Sequence, residues 1–445
     1  MKYQFQDGFV WGTATASYQI EGAVLKDGRG ESIWDRFCQM PGNILLGDTG
    51  DEANDHYHRY QQDVALMKEL GHKAYRFSVS WSRVMPDGRG AVNEKGLQFY
   101  ESLVDALLAA GIEPYLTIYH WDLPQALQDI GGWQNEDMIG YFEAYCRLLF
   151  TRLGGKVKKW ITLNEPYCTA FAGNLTGEHA PGIRDLGTAI RVSYILLRAH
   201  GAAVRLFRSM HLPGEIGITL NAMPVYAVSD SPEDQLAVKR QDGMNNRWFF
   251  DPVLKGAFPA DMIELFQSLG ITLPDFREQA SICESLDFLG VNYYFTTPVR
   301  FNRLAWPLQA ETVPLDLPRT DRDWPIDPDG LTKLLVHLKN EYNADIIYLT
   351  ENGASYNDTI DPDGEIHDDK RIDYLRRHFI AAHNAIAAGV NLRGYFVWSL
   401  YDNFEWAFGR YSRFGIVYED FATHKRTPKQ SAYWFRDVIR QNGLD

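Results

Sequence analysis

The 445-residue chain is short of several things that would tie it to large functional classes. It has only four cysteines, Cys38, Cys146, Cys168 and Cys283, and no two form a Cys-x-x-Cys pair. Thiols this sparse cannot staple a chain of this length, which excludes a disulfide scaffold and points to a reducing compartment. No stretch approaches the roughly 18 apolar residues of a membrane span. The start of the chain has no apolar signal core before Phe9, so a cytoplasmic protein is expected. Positive charge is also short: 44 Lys+Arg against 58 Asp+Glu leave a net charge of −14. That balance opposes nucleic acid and anionic membrane surfaces, and the expected partner is a small molecule. Neither a Walker loop nor a dinucleotide fingerprint is present, so no cofactor is implied.

Aromatic side chains, in contrast, are plentiful: 12 Trp, 24 Tyr and 24 Phe make up 13% of the chain. Most must fill core, but such a surplus also suits a site with flat apolar walls and polar tips. Short β-branched and aromatic runs alternate with amphipathic stretches throughout. Residues 55–70 read as helix, with Tyr57, Tyr60, Val64, Met67 and Leu70 at spacings of three and four and Gly71 as the stop. Strands are expected at 9–14, 74–80, 114–119, 158–163, 216–220, 287–291, 346–350 and 394–398. Eight such units, without a glycine-rich phosphate loop after the first, favour a closed (β/α)8 TIM barrel over an open sheet. No linker divides the chain, so residues 1–445 read as one α/β domain. Residues 298–328 hold six of the 20 prolines and read as a long βα loop after strand six. Long βα loops of this kind build the face on which such barrels place their sites.

Functional groups in this fold follow the C-terminal ends of the strands. His120-Trp121-Asp122 follows strand three, and Asn164-Glu165-Pro166 follows strand four. Asn292, Tyr293 and Tyr294 follow strand six, and Glu351-Asn352-Gly353 follows strand seven. Strand eight ends in Trp398, with Glu405 and Trp406 shortly beyond. A single carboxylate at a strand end is usually a helix cap or a solvated loop residue. Polar and aromatic residues recurring at five strand ends form a pattern. Cleaving a glycosidic bond takes one carboxylic acid to protonate the leaving oxygen and one carboxylate to attack or to activate water. Glu165 and Glu351 supply that pair, and Trp398, Trp406, Tyr294 and Trp324 supply faces for sugar rings. A carbohydrate hydrolase is the expectation from the residues alone.

The motifs FxWGTATASYQIEGA, HWDLPQ, TLNEPYCTA, NYY, YLTENGA and WSLYDNFEW together resemble glycoside hydrolase family 1, the β-glucosidases. They occur in the family's order from Phe9 to about Trp434. The resemblance implies that Glu165 is the acid/base and Glu351 the nucleophile of a retaining mechanism. It implies that Gln19, His120, Asn164, Glu405 and Trp406 hold the hydroxyls of the non-reducing glucose, with Trp398 as the floor. Asn292 and Tyr294 would support the site, Tyr294 by bonding the nucleophile, and Trp324 would line the leaving-group subsite. Arg76 would lie near Glu351, and Trp121 joins it as a supporting residue.

Short β-glucosides such as cellobiose are then the expected substrates. A catalytically silent relative would be expected to lose one glutamate, and both are present. A hydrolase of 6-phosphorylated glucosides stays open, because Arg410 and Arg413 follow Glu405 closely. Preference for galactose or fucose stays open too, as does oligomeric state. No metal site is expected: His56-x-His58 lies in a helical pattern, where residues two apart do not share a face. Cys168 reads as a pocket-wall residue and not as a nucleophile.

Overall fold

The computed structural model describes residues 3–445. Eight parallel strands close a barrel in chain order: β1 (Val10–Ala14), β2 (Ala74–Ser78), β3 (Glu113–Tyr119), β4 (Lys159–Asn164), β5 (Glu215–Asn221), β6 (Phe288–Asn292), β7 (Ile347–Asn352) and β8 (Leu392–Trp398). Strand β8 pairs with β1 from Gly394↔Val10 to Trp398↔Ala14, and β6 with β7 from Leu289↔Ile347 onward, which completes the closure. The (β/α)8 barrel expected from the alternation of runs is therefore the fold. All eight expected strands exist, with ends displaced by one to a few residues. Strand β2 stops at Ser78, and Ser80 already precedes a short helix, Trp81–Val84. Strand β7 runs on to Asn352, so Glu351 lies on the strand and not after it.

The helical crossovers pack apolar faces onto the barrel. The helix His56–Glu69 matches the sequence pattern, with Val64 and Met67 buried and the chain turning at Gly71. His56 and His58 do point apart: His56 Nδ1 is 2.7 Å from buried Asp63, whereas His58 pairs with Asp55 at the surface. Among the described residues no group of three or more His, Cys, Asp or Glu is arranged to hold a metal. Among them, too, no helix is long and apolar enough to cross a membrane.

The proline-rich stretch after β6 is more ordered than a bare loop. Thr297–Phe301 pairs with Ala310–Thr312 in one direction and with Val225–Ala227 in the other, giving a three-stranded sheet beside the barrel mouth. The stretch ends where Asp327 caps the helix Pro328–Tyr342, its carboxylate accepting from Gly330 N at 3.0 Å. Proline at the first helical position needs no hydrogen-bond donor and already has helical φ, so the stop is sharp. The Tyr293 hydroxyl, just past β6, donates to the Asp327 carbonyl at 2.5 Å and ties this end to the barrel.

Candidate active site

Residues at the C-terminal ends of the strands enclose a cavity of about 310 Å³. Two of its glutamates stand where the strands become irregular. The β4–β5 register slips between Ile161 and Asn164, and the β7–β6 register slips between Leu349 and Glu351. Such slips re-aim side chains at strand ends. Glu165, the first residue past β4, takes φ +43, while its N–H still bonds Thr219 O at 2.9 Å. Trp121 (φ +76) and Trp406 (φ +50), also on the cavity wall, share this left-handed conformation. It costs a non-glycine residue energy, and the cost persists only where the surroundings fix the backbone. A π-helical segment, Cys168–Thr176, follows directly. Gly353 is required for a different reason. A Cβ there would lie 1.8 Å from the Trp398 carbonyl oxygen, so the chain leaving β7 passes directly against the end of β8.

One chain of hydrogen bonds links the two glutamates. Glu351 accepts from Arg76 Nη1 at 2.5 Å and from the Tyr294 hydroxyl at 2.8 Å. Arg76 Nη2 donates to Asn164 Oδ1 at 2.5 Å, and Asn292 Nδ2 reaches the same oxygen at 3.2 Å. Asn292 also donates to Glu165 Oε1 at 2.8 Å, and the Cys168 thiol lies 3.1 Å from Oε2. Arg76, Asn164, Glu165, Asn292 and Glu351 are buried, and Tyr294 and Cys168 are half-buried.

The environments of the two carboxyls differ. Burial and the neighbouring Glu351 charge push Glu165 up to about 7. Burial raises Glu351 as well, but the Arg76 guanidinium and the Tyr294 hydroxyl oppose that rise directly. Opposite charge and hydrogen bonding favour the ionised form, and a like charge disfavours it. The pair therefore shares its protons unequally, with Glu165 the better holder.

Around this pair lie His120, Trp121, Trp398, Glu405 and Trp406. His120 is kept neutral by burial and by Arg76, and Asn164 donates to its Nε2 at 3.0 Å, which leaves the proton on Nδ1. Its ring lies nearly parallel to those of Trp398 and Trp406. The Trp121 indole N–H is held by the Asn164 carbonyl at 2.8 Å. Glu405, pushed up to about 7 by burial, is opposed chiefly by Arg322. Gln19 sits behind Glu405, its amide donating to Oε2 at 3.3 Å and to the Phe404 carbonyl at 3.0 Å. Its own Oε1 is buried without a partner among the described residues. Tyr167, Cys168, Met223, Phe295 and Trp324 add apolar surface to the cavity wall.

The family model described as Glycosyl hydrolase family 1 matches residues 1–444. This chain belongs to that family. Beta-glucosidase A of Thermotoga maritima is 48% identical to it over 445 residues, which is 99% of each chain. Beta-glucosidase A of Acetivibrio thermocellus is 46% identical over 446 residues, covering 100% of both. A solved structure of the Thermotoga maritima family 1 glycoside hydrolase, complexed with a cyclophellitol analogue transition state mimic, superposes with a TM-score of 0.97. It is 48% identical and covers 100% of each chain.

In this family 1 hydrolase most of the residues singled out from sequence share one site. His120, Trp121, Glu165, Asn292, Tyr294, Trp324, Glu351, Trp398, Glu405 and Trp406 all line the cavity. Gln19, Arg76 and Asn164 stand behind its wall and reach it through hydrogen bonds. The two arginines that left a 6-phosphate site open are not among the residues lining the cavity: Arg413 is bound to Asp402 and the Glu419 carbonyl, and Arg410 stacks on Phe421. The cation beside Glu405 is Arg322, from the proline-rich stretch, which the sequence reading passed over. The thiol contact of Cys168 with Glu165 was missed as well, although Cys168 follows Glu165 by three residues. So was Glu178, another carboxylate on the cavity wall.

Proposed function

We propose that this protein is a retaining β-glucosidase that removes terminal non-reducing glucose from short β-glucosides through a covalent glycosyl-enzyme intermediate. The observation that carries the reading is the unequal pair: Glu165 raised to about 7, and Glu351 held by Arg76 and Tyr294. Glu351 attacks the anomeric carbon as a carboxylate while Glu165 gives its proton to the departing oxygen. Esterification removes the Glu351 charge, Glu165 then ionises more readily, and it takes a proton from the water that releases the sugar. The family 1 relatives named beta-glucosidase support glucose as the sugar.

Glu405, His120, Asn164, Gln19 and Trp406 take the glucose hydroxyls in this reading, above Trp398, and Trp324 receives the leaving group. The engagement of Arg410 and Arg413 elsewhere argues against a 6-phosphate site. We read residues 1–445 as one catalytic domain working in the cytoplasm, a reading supported by four cysteines that stay free. Trapping tests the central step. Brief reaction with 2,4-dinitrophenyl 2-deoxy-2-fluoro-β-glucoside, followed by proteolysis and mass spectrometry, should find the fluorosugar on the peptide carrying Glu351. A label elsewhere, or none, defeats the assignment.

A further inference from the structure

Four carboxylates line the cavity: Glu165, Glu178, Glu351 and Glu405. Arg322 is the one permanently charged cation among the described residues that line it. Its Nη1 lies 3.4 Å from Glu405 Oε1, while Gln19 holds the other oxygen of the same carboxylate. The guanidinium carbon is 3.6 Å from the ring centre of Phe408 and 4.6 Å from that of Trp324. Stacking on two rings fixes the orientation of the cation, and both partners of the ion pair are largely closed to solvent.

The segment that carries Arg322 is itself pinned. Within it Thr320 N bonds the Trp324 carbonyl at 3.0 Å, and Asp323 N bonds the Thr320 carbonyl at 2.9 Å. Outside it Asp321 N reaches the Ser355 carbonyl at 3.1 Å, and Asp321 Oδ2 accepts from Asn357 N at 2.7 Å. A turn anchored to the chain leaving β7 thus delivers Arg322 and Trp324 to the cavity together, stacked on one another.

We propose that Arg322 is a positioning residue that sets selectivity for the glucose O6 hydroxyl by fixing the Glu405 carboxylate from the loop that also supplies Trp324. This rests on the reading of Glu405 as the acceptor for the O4/O6 edge of the sugar. A carboxylate held on both oxygens presents its free lone pairs in one direction, and charge-assisted acceptance is strong only while the group stays ionised. Without Arg322, Glu405 keeps the like charge of Glu351 nearby with no cation of its own. It then turns or takes up a proton, and the gain from a hydroxyl at C6 is lost. The leaving-group loop and the glycone pocket become one recognition unit, joined by a single ion pair.

The test is the ratio of kcat/KM for 4-nitrophenyl β-glucoside to that for its 6-deoxy analogue. It is measured in wild type, Arg322→Met, Arg322→Lys and Glu405→Gln. Arg322→Met should lower the ratio about tenfold, the scale of one charge-assisted hydrogen bond, and Arg322→Lys should restore part of it. Glu405→Gln should lower the ratio too. If Glu405→Gln lowers it and both Arg322 variants leave it at the wild-type value, the proposal for Arg322 is wrong and the reading of Glu405 stands. A ratio that Glu405→Gln leaves unchanged removes the reading of Glu405 and the proposal with it. A merely structural role of Arg322 would depress both substrates by the same factor, and that outcome also overturns the proposal.

Discussion

Arg76 and Glu351 form an ion pair across the barrel interior, Nη1 to Oε1 at 2.5 Å, with the arginine fully closed to solvent. The guanidinium also holds Asn164, so it fixes both the charge of Glu351 and the amide beside Glu165. A buried charge left without its partner costs about 3–5 kcal/mol, and each member therefore depends on the other. Glu351 is consequently the glutamate built to stay ionised, while Glu165 is met by an amide and a thiol.

The two roles separate by mutation. Glu351→Ala should lose activity by several powers of ten on every glucoside, because no group remains to form the intermediate. Glu165→Ala should be far milder on 2,4-dinitrophenyl β-glucoside, whose leaving group needs no proton. Azide should then accelerate Glu165→Ala and yield β-glucosyl azide. Equal responses of the two variants to leaving group and azide would mean the roles are misassigned.

In the proposed mechanism the protonation of Glu165 sets the alkaline side of the pH profile. With its carboxyl raised to about 7, it holds the catalytic proton below that pH and loses it above. The basic limb of kcat/KM should therefore fall near 7, as an apparent value belonging to the coupled pair. Removing the neighbouring charge removes one cause of the rise, so Glu351→Gln should lower the value. Carbon-13 NMR titration of labelled glutamate in that variant reads it directly. A Glu165 value that stays put or climbs would contradict the electrostatic account.

Much of this was legible in the sequence, for reasons that particular residues make plain. Barrel strands buried on both faces read as apolar runs, such as Tyr115, Leu116, Ile118 and Tyr119, and their periodic recurrence showed the fold. The groups that follow them stand out because polar residues interrupt apolar runs there. Strand ends were less legible: the slip at Glu351 keeps a charged residue on β7, where composition argued for a loop. Contacts between distant segments were least legible of all. Nothing local in DRDWP says that Arg322 meets Glu405, 83 positions on, instead of solvent. Arg413 looked nearer to Glu405 in sequence, yet Asp402 claims it in the fold.

Cys168 is expected to tune the acid/base. Its thiol favours the ionised form of Glu165, so its removal should move the carboxyl upward. Cys168→Ala should shift the basic limb of kcat/KM to higher pH by less than about one unit, the scale of a single weak donor. Cys168→Ser keeps a donor at the same place and should return the limb toward wild type. An unmoved limb in Cys168→Ala would show the thiol to be packing alone.

Two glycine substitutions should part in opposite directions. At Gly353 an added methyl would meet the Trp398 carbonyl oxygen at 1.8 Å, a backbone atom with no flexible side chain to give way. Gly353→Ala must push apart the ends of β7 and β8, which carry Glu351 and Trp398, and should cost about 3 kcal/mol. Gly140, inside the helix Met138–Leu153, has nothing within 4 Å of the added methyl. There alanine restricts the unfolded chain and suits the helix, for a gain of about 0.5–1 kcal/mol. Thermal unfolding should show a lowered Tm for Gly353→Ala with a large loss of kcat/KM, and a slightly raised Tm for Gly140→Ala with unchanged kinetics. A Gly353→Ala protein that keeps its Tm and its activity would mean the two strand ends separate freely, and the close approach of β7 to β8 would not be what holds the site in shape.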